Sequence, residues 1–229
     1  MLKHAIQPTT FNDLVFENPN AQQKLQQYAN GTLQGSIILH GPYGTGKSTA
    51  AAIVAEQTRK HTNGMIDFPI NTFSGDDFPS NALNRIENGW TGAGTNFRYA
   101  VIDEFDQLDN KTMSKIRKIM DKHYGVYGLI LTTNELYKIH NAIQSRCDVI
   151  EMPALSPNTL LPMCRKVLQQ GGVTWTDKQI LTAINTQSDI RAVLRQMDAA
   201  IAQVTSANQQ NAVPTSRQNV GQIAQKTRK

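Results

Sequence analysis

One run of residues, Gly41-Pro42-Tyr43-Gly44-Thr45-Gly46-Lys47-Ser48, matches the pattern of a loop that wraps phosphate groups. The chemistry follows from residue type. Glycines let successive backbone N–H groups turn toward an anion, and a helix beginning at the lysine adds its positive end. Gly41, Gly44, Thr45, Gly46 and Thr49 would then surround the phosphates of a nucleotide, Lys47 would reach the β- and γ-phosphates, and the Ser48 hydroxyl would hold Mg²⁺. A second cluster, Asp103-Glu104-Phe105-Asp106, is delivered by the apolar run Tyr99-Ala100-Val101-Ile102. Asp103 suits the Mg²⁺ shell, and Glu104 suits polarisation of an attacking water for in-line phosphoryl transfer. Alone, such a pair more often marks a solvated loop start; the phosphate loop is what turns it toward hydrolysis. A third run, Leu129-Ile130-Leu131-Thr132-Thr133, ends at Asn134, whose amide can bond both a γ-phosphate and the lytic water. Taken by itself Asn134 is a common turn residue.

These residues need elements that bring them to one edge. Ser36–His40 is short, apolar and branched, as a buried parallel strand requires, and Lys47 to Arg59 has the alanine-rich pattern of a helix packed closely on a sheet. Further strands are predicted at Met65–Ile70, Arg98–Ile102, Tyr127–Thr132 and Asp148–Met152, with helical stretches between them and a first helix over Pro19–Asn30. Alternation of this kind predicts a parallel sheet with helices on both faces. In such a sheet, ligands bind at the C-terminal ends of the strands, which is where all three motifs fall. After Ser156 the strand signal stops. Helices are predicted over Asn158–Gln170, Asp177–Asn185 and Asp189–Gln203, broken by Gly171-Gly172-Val173.

At 229 residues the chain can bury a substantial core without staples. Cys147 and Cys164 have neither metal-ligand nor framework spacing, which points to a reducing compartment, the cytoplasm or a host's cytoplasm. No apolar run suggests a signal peptide or a membrane span, so no membrane partner is expected. The net charge is +5, yet four of those charges come from Arg217, Lys226, Arg228 and Lys229. Global charge is thus weak support for nucleic-acid binding. A local feature says more: Lys111, Lys115, Lys118 and Lys122 recur at helical spacing opposite Met113, Ile116 and Met120. Such a stripe suits sequence-independent phosphate contact on DNA, and it equally fits a solvated helix face.

Ile143-Gln144-Ser145-Arg146-Cys147 resembles the Ser-Arg-Cys signature of the small ATPase subunits of DNA sliding-clamp loaders, members of the AAA+ class. Asp103-Glu104-Phe105-Asp106 is similar to the family's acidic box, and Ser188-Asp189-Ile190-Arg191 to its lid motif. The likeness extends from about Pro8 to Met197. It implies ATP and Mg²⁺ as cofactors, Asn134 as a γ-phosphate sensor, and Arg191 as a lid residue contacting nucleotide within its own chain. It also implies that Arg146 acts as an arginine finger on a neighbouring subunit's γ-phosphate, so that the ATP site is shared in a homo- or hetero-oligomer. Without the family, Arg146 reads as a surface arginine and Arg191 as part of a salt-bridged helix face. Two departures stand out. Ala5-Ile6-Gln7 replace the basic and aromatic residues that precede the arm's proline, Pro8, and bear on base recognition. A polar tail stands where the family continues into a helical collar.

The expectation is an α/β fold of P-loop AAA+ type over residues 1–153, a small helical lid over 154–203, and a polar tail over 204–229 with too few apolar residues to pack. The expected function is ATP hydrolysis coupled to DNA and to a sliding clamp or another replication protein. Two alternatives stay open: a nucleotide-gated adaptor or switch with little turnover, and another DNA-remodelling AAA+ protein such as a helicase loader.

Overall fold

The structure, a computed structural model, describes residues 8–62, 69–88 and 97–211. Its centre is a five-stranded, all-parallel sheet of β1 (Ser36–His40), β2 (Thr72–Ser74), β3 (Arg98–Asp103), β4 (Tyr127–Thr133) and β5 (Cys147–Glu151), in the order β2-β3-β4-β1-β5. The apolar strand runs divide their side chains between two faces, because successive residues of a strand point opposite ways. Ile37, Leu39, Tyr99, Val101 and Ile130 pack with helices α1 (Pro19–Ala29) and α2 (Lys47–Thr62). On the other face Ile38, Ala100, Ile102, Leu129 and Leu131 pack with α3 (Ala82–Asn88) and α4 (Asn110–Lys122), and with Ile143 of α5 (Asn141–Gln144). A sheet covered on both sides explains why its strands read as unbroken apolar runs rather than as alternation.

The helix boundaries have local causes. Asn18 accepts a hydrogen bond from Asn20 N at 3.0 Å and Pro19 opens α1, while Asp109 caps α4 by accepting from Thr112 N at 2.7 Å. Past the sheet, α6 (Pro157–Gln170), α7 (Asp177–Ile184) and α8 (Ile190–Asn211) bury a cluster of their own that includes Leu160, Val167, Ile180, Ile184, Val193 and Met197. Ser156 caps α6, and a reciprocal Thr176–Gln179 box opens α7.

Two elements differ from the sequence expectation. Of the strand expected over Met65–Ile70, residues 65–68 lie outside the described ones and Pro69 and Ile70 are irregular; the edge strand of the sheet is Thr72–Ser74. Proline has no N–H for a ladder, whereas Thr72–Ser74 pairs with Val101–Asp103 and buries Phe73 against that side of the sheet. The last helix runs through Asn211 rather than stopping near Gln203. Val204 packs on the helical cluster, and the Thr205 and Ser206 hydroxyls donate to the carbonyls of Ile201 and Ala202 at 2.9 Å, so polar composition does not end the helix. The rest of the tail, 212–229, lies outside the described residues, as do Ala5, Ile6 and Gln7. Cys147 and Cys164 are unpaired, and no helix among the described residues is long and apolar enough to cross a membrane.

Ile130 sits in the strand between β1 and β3 and is fully buried. Ile130→Ala is expected to lower unfolding stability by about 2–5 kcal/mol, against about 1 kcal/mol for Thr176→Ala at the α7 cap; urea titration of both variants checks the ranking.

Candidate functional site

Strand register places the motifs. His40 pairs with Thr133, Ile102 with Leu131, and Ser74 with Asp103, so the C-terminal ends of β1, β4, β3 and β2 lie along one edge. Above that edge lies a cleft of about 1000 Å³. Its lining includes Gly44 to Thr49, Asp103, Glu104, Asn134 and Arg191, so residues far apart in sequence meet in one place.

The phosphate loop needs its glycines for different reasons. Gly41 has φ 145° and touches β5's exit, where a Cβ would lie 2.1 Å from the Met152 carbonyl oxygen. Gly44 has φ 74°, and a Cβ there would lie 2.2 Å from Cγ of Asp189, because the segment before α8 rests directly on the loop. Ile190 N donates to the Gly44 carbonyl at 3.0 Å, and Arg191 N to Asp189 Oδ1 at 2.7 Å, which anchors the foot of α8. Lys47 is buried at the start of α2, and its ammonium donates to the carbonyls of Gly41 at 2.8 Å and Pro42 at 2.6 Å. Burial pushes its pKa down to about 8, with Arg191 acting in the same direction and Asp103 opposing.

Asp103 Oδ1 accepts from the Ser48 hydroxyl at 2.8 Å and from the Thr132 hydroxyl. A hydroxyl beside a carboxylate oxygen is the hard-oxygen donor pair that Mg²⁺ takes, with nucleotide phosphates completing its shell. Glu104 follows in the left-handed region, φ 52° and ψ 46°, the only non-glycine with positive φ among the described residues. That conformation costs about 1–2 kcal/mol and is held by its surroundings. Burial raises the Glu104 pKa, helped by the negative charges of Asp76, Asp103 and Asp106 and opposed by Arg191. A carboxylate shifted upward is the better proton acceptor.

Arg146 stands apart. It does not line the cleft; its Nε lies 2.5 Å from Asp121 Oδ1 and its Nη2 3.2 Å from Oδ2, while Nη1 donates to the Ala142 carbonyl at 2.5 Å. Lys111, Lys115, Lys118 and Lys122 are exposed on α4, and Lys122 is bridged to Glu87 at 2.6 Å. Sequence reasoning passed over Thr132, Asp121 and the cleft wall formed by Val15, Phe16, Met163 and Leu194. Thr132 carried a faint signal, a hydroxyl near the end of an otherwise apolar strand.

Fold and site together define a P-loop ATPase whose parallel sheet carries its nucleotide motifs on one edge. The chain belongs to the AAA family, the ATPase family associated with various cellular activities, whose model matches residues 37–154. Among curated relatives it is similar to a replication factor C small subunit of Halobacterium salinarum, at 25% identity over 206 residues, covering 89% of this chain and 63% of the relative. Human replication factor C subunit 5 is 24% identical over 205 residues, covering 86% of this chain and 60% of the relative. These relatives agree with the clamp-loader resemblance carried by Ser145-Arg146-Cys147, although the chain spans only about three fifths of their length. Among solved structures, the Thermotoga maritima RuvB Holliday junction branch migration motor aligns with TM-score 0.67 at 17% identity, covering 89% of this chain and 67% of that one. A replication initiator DnaA bound to AMPPCP and single-stranded DNA aligns with TM-score 0.67 at 15% identity, covering 89% and 68%. Both share the fold.

The depressed Lys47 gives a pH signature. Near pH 8 the free amine is partly unprotonated, and a bound triphosphate restores its proton, so binding is expected to take up on the order of half a proton there. Uptake by this amine should vanish at pH 6, where it is already charged. Calorimetry of nucleotide binding in buffers of different ionisation enthalpy measures it.

Proposed function

We propose that this chain is a Mg²⁺-dependent ATPase acting as a motor subunit of a clamp-loader-type assembly, with its site completed by Arg146 of a neighbouring subunit. The observation that carries this reading is the position of Arg146, exposed and paired with Asp121 outside the cleft its own chain forms. In the proposed division of labour, Lys47 and the loop amides hold the β- and γ-phosphates. Ser48 and Asp103 hold Mg²⁺, which when bound offsets phosphate charge. Glu104 orients the water and takes its proton, while Asn134 and Arg191 contact the nucleotide from β4 and α8. The segment 154–203 serves as a lid over the 1–153 unit, seated through the contact of Ile190 with Gly44.

Energetics favour release of the finger. An exposed ion pair such as Arg146–Asp121 is worth about 0–1 kcal/mol, whereas an arginine finger is worth ~10³-fold or more in rate. Freeing Arg146 from Asp121 is a small cost against that gain. Partner and nucleic-acid roles are part of the proposal too: the replication names of the relatives support a sliding clamp or another replication protein, and the exposed lysines of α4 support sequence-independent DNA contact. Cytoplasmic residence, the host's if the chain is viral, fits the two unpaired cysteines.

Three experiments test the reading. Glu104→Gln is expected to bind ATP with unchanged affinity and lose turnover, whereas Lys47→Ala loses binding; titration paired with steady-state assays separates them. Arg146→Ala and Lys47→Ala should each be nearly inactive and recover activity when mixed, because one supplies an intact loop and the other an intact finger. No rescue at concentrations where the wild-type chain associates would replace the shared site with the nucleotide-switch alternative. Reversing Lys115 and Lys118 to Glu is expected to weaken binding to unrelated DNA sequences equally, with the log affinity–log salt slope shallower by about 0.9 per lost phosphate contact.

A further inference from the structure

We propose that Thr132 is a positioning residue, whose single buried hydroxyl aims Glu104 by tying its backbone to the carboxylate of Asp103. Thr132 lies near the end of β4, is 1% exposed and borders the cleft. Its Oγ1 accepts from Glu104 N at 3.1 Å and donates to Asp103 Oδ1. One hydroxyl therefore uses its donor and an acceptor lone pair on two adjacent acidic residues of the neighbouring strand. The next residue cannot take over this role, since the Thr133 hydroxyl accepts from Glu135 N at 2.8 Å.

Glu104 needs such a hold. Its left-handed backbone is a sparsely populated conformation that persists only where the surroundings fix it. Thr132 holds it from the β4 side. On the β2 side Gly75 N donates to the Asp103 carbonyl at 2.8 Å, and a Cβ at position 75 would lie 2.1 Å from the Glu104 carbonyl oxygen. The peptide that orients the Glu104 side chain is thus gripped between β4 and the exit of β2. Ser48 reaches the same Asp103 oxygen at 2.8 Å, so the hydroxyl also couples the aim of Glu104 to the phosphate loop.

The inference rests on Glu104 acting on water, and the test keeps the two ideas separable. Valine has the shape of threonine without the hydroxyl. In the full chain with ATP and Mg²⁺, Thr132→Val is expected to lower kcat by about 10–100-fold, the scale of a roughly 1 Å misplacement of a reacting group. ATP affinity should stay within about threefold, because ground-state contacts to the phosphates are untouched. Thr132→Ser, which keeps the hydroxyl, should stay close to wild type. Amide exchange at Glu104 gives a readout independent of turnover: protection should fall at least about tenfold in Thr132→Val and persist in Thr132→Ser. If Thr132→Val does not fold, the Thr132→Ser and Thr132→Ala pair carries the same comparison. Wild-type kcat in Thr132→Val, or equal losses in the serine and valine variants, overturns the role of the hydroxyl. Full turnover in Glu104→Gln overturns the reading of Glu104 and this inference with it; an inactive Glu104→Gln beside a fully active Thr132→Val removes Thr132 alone.

Discussion

Parallel pairing of β4 with β1 on one side and β3 on the other sets the height at which every reactive group emerges. A slip of one residue would turn each side chain of β4 to the opposite face, taking Thr132 away from Asp103 and putting Ile130 on the wrong core. The two apolar clusters therefore do more than stabilise the sheet. By filling both faces with branched side chains they forbid such a slip, and so fix the position of an oxygen to a fraction of a residue step. Packing specificity and site geometry are here one constraint.

Charge within the cleft is balanced before any ligand arrives. The Lys47 ammonium rests on two loop carbonyls, the Asp103 carboxylate on the Ser48 and Thr132 hydroxyls, and the Glu104 amide on that same Thr132 oxygen. Each of these groups thus has a neutral partner in place of water, which limits the desolvation cost that burial would otherwise impose. A triphosphate would exchange the two carbonyls on the Lys47 ammonium for an ionic partner. Pre-arranged dipoles of this kind need little reorganisation when charge appears.

The fold could be read well from the sequence, since Ser36–His40 and Tyr127–Thr133 are short strands built around the buried apolar runs Ile37-Ile38-Leu39 and Leu129-Ile130-Leu131. The edge strand could not, because β2 is short and half-covered, and its register depends on Phe73 finding Ile102 rather than on any pattern of its own. Within the site, the phosphate loop and the Asp103-Glu104 pair stood out because their chemistry is written in contiguous residues. Thr132 and Asp121 did not, for their meaning comes from partners 29 and 25 residues away. The end of α8 is hidden for a different reason: threonine and serine suggest a tail by composition, but their hydroxyls can be satisfied inside the helix itself.

The contact of Gly44 with Asp189 and Ile190 has a mechanical side. It puts the foot of a 22-residue helix against the loop that would enclose phosphate, with the Asp189 side chain lying on the glycine and the Ile190 amide bonded to its carbonyl. A helix of that length extends about 33 Å, so a tilt of about 5° at its foot carries its far end through roughly 3 Å by simple leverage. A displacement too small to break a hydrogen bond at Gly44 thereby becomes, at the other end of α8, a shift as large as the spacing between hydrogen-bonded atoms. The glycine is a fulcrum as well as a phosphate-loop residue.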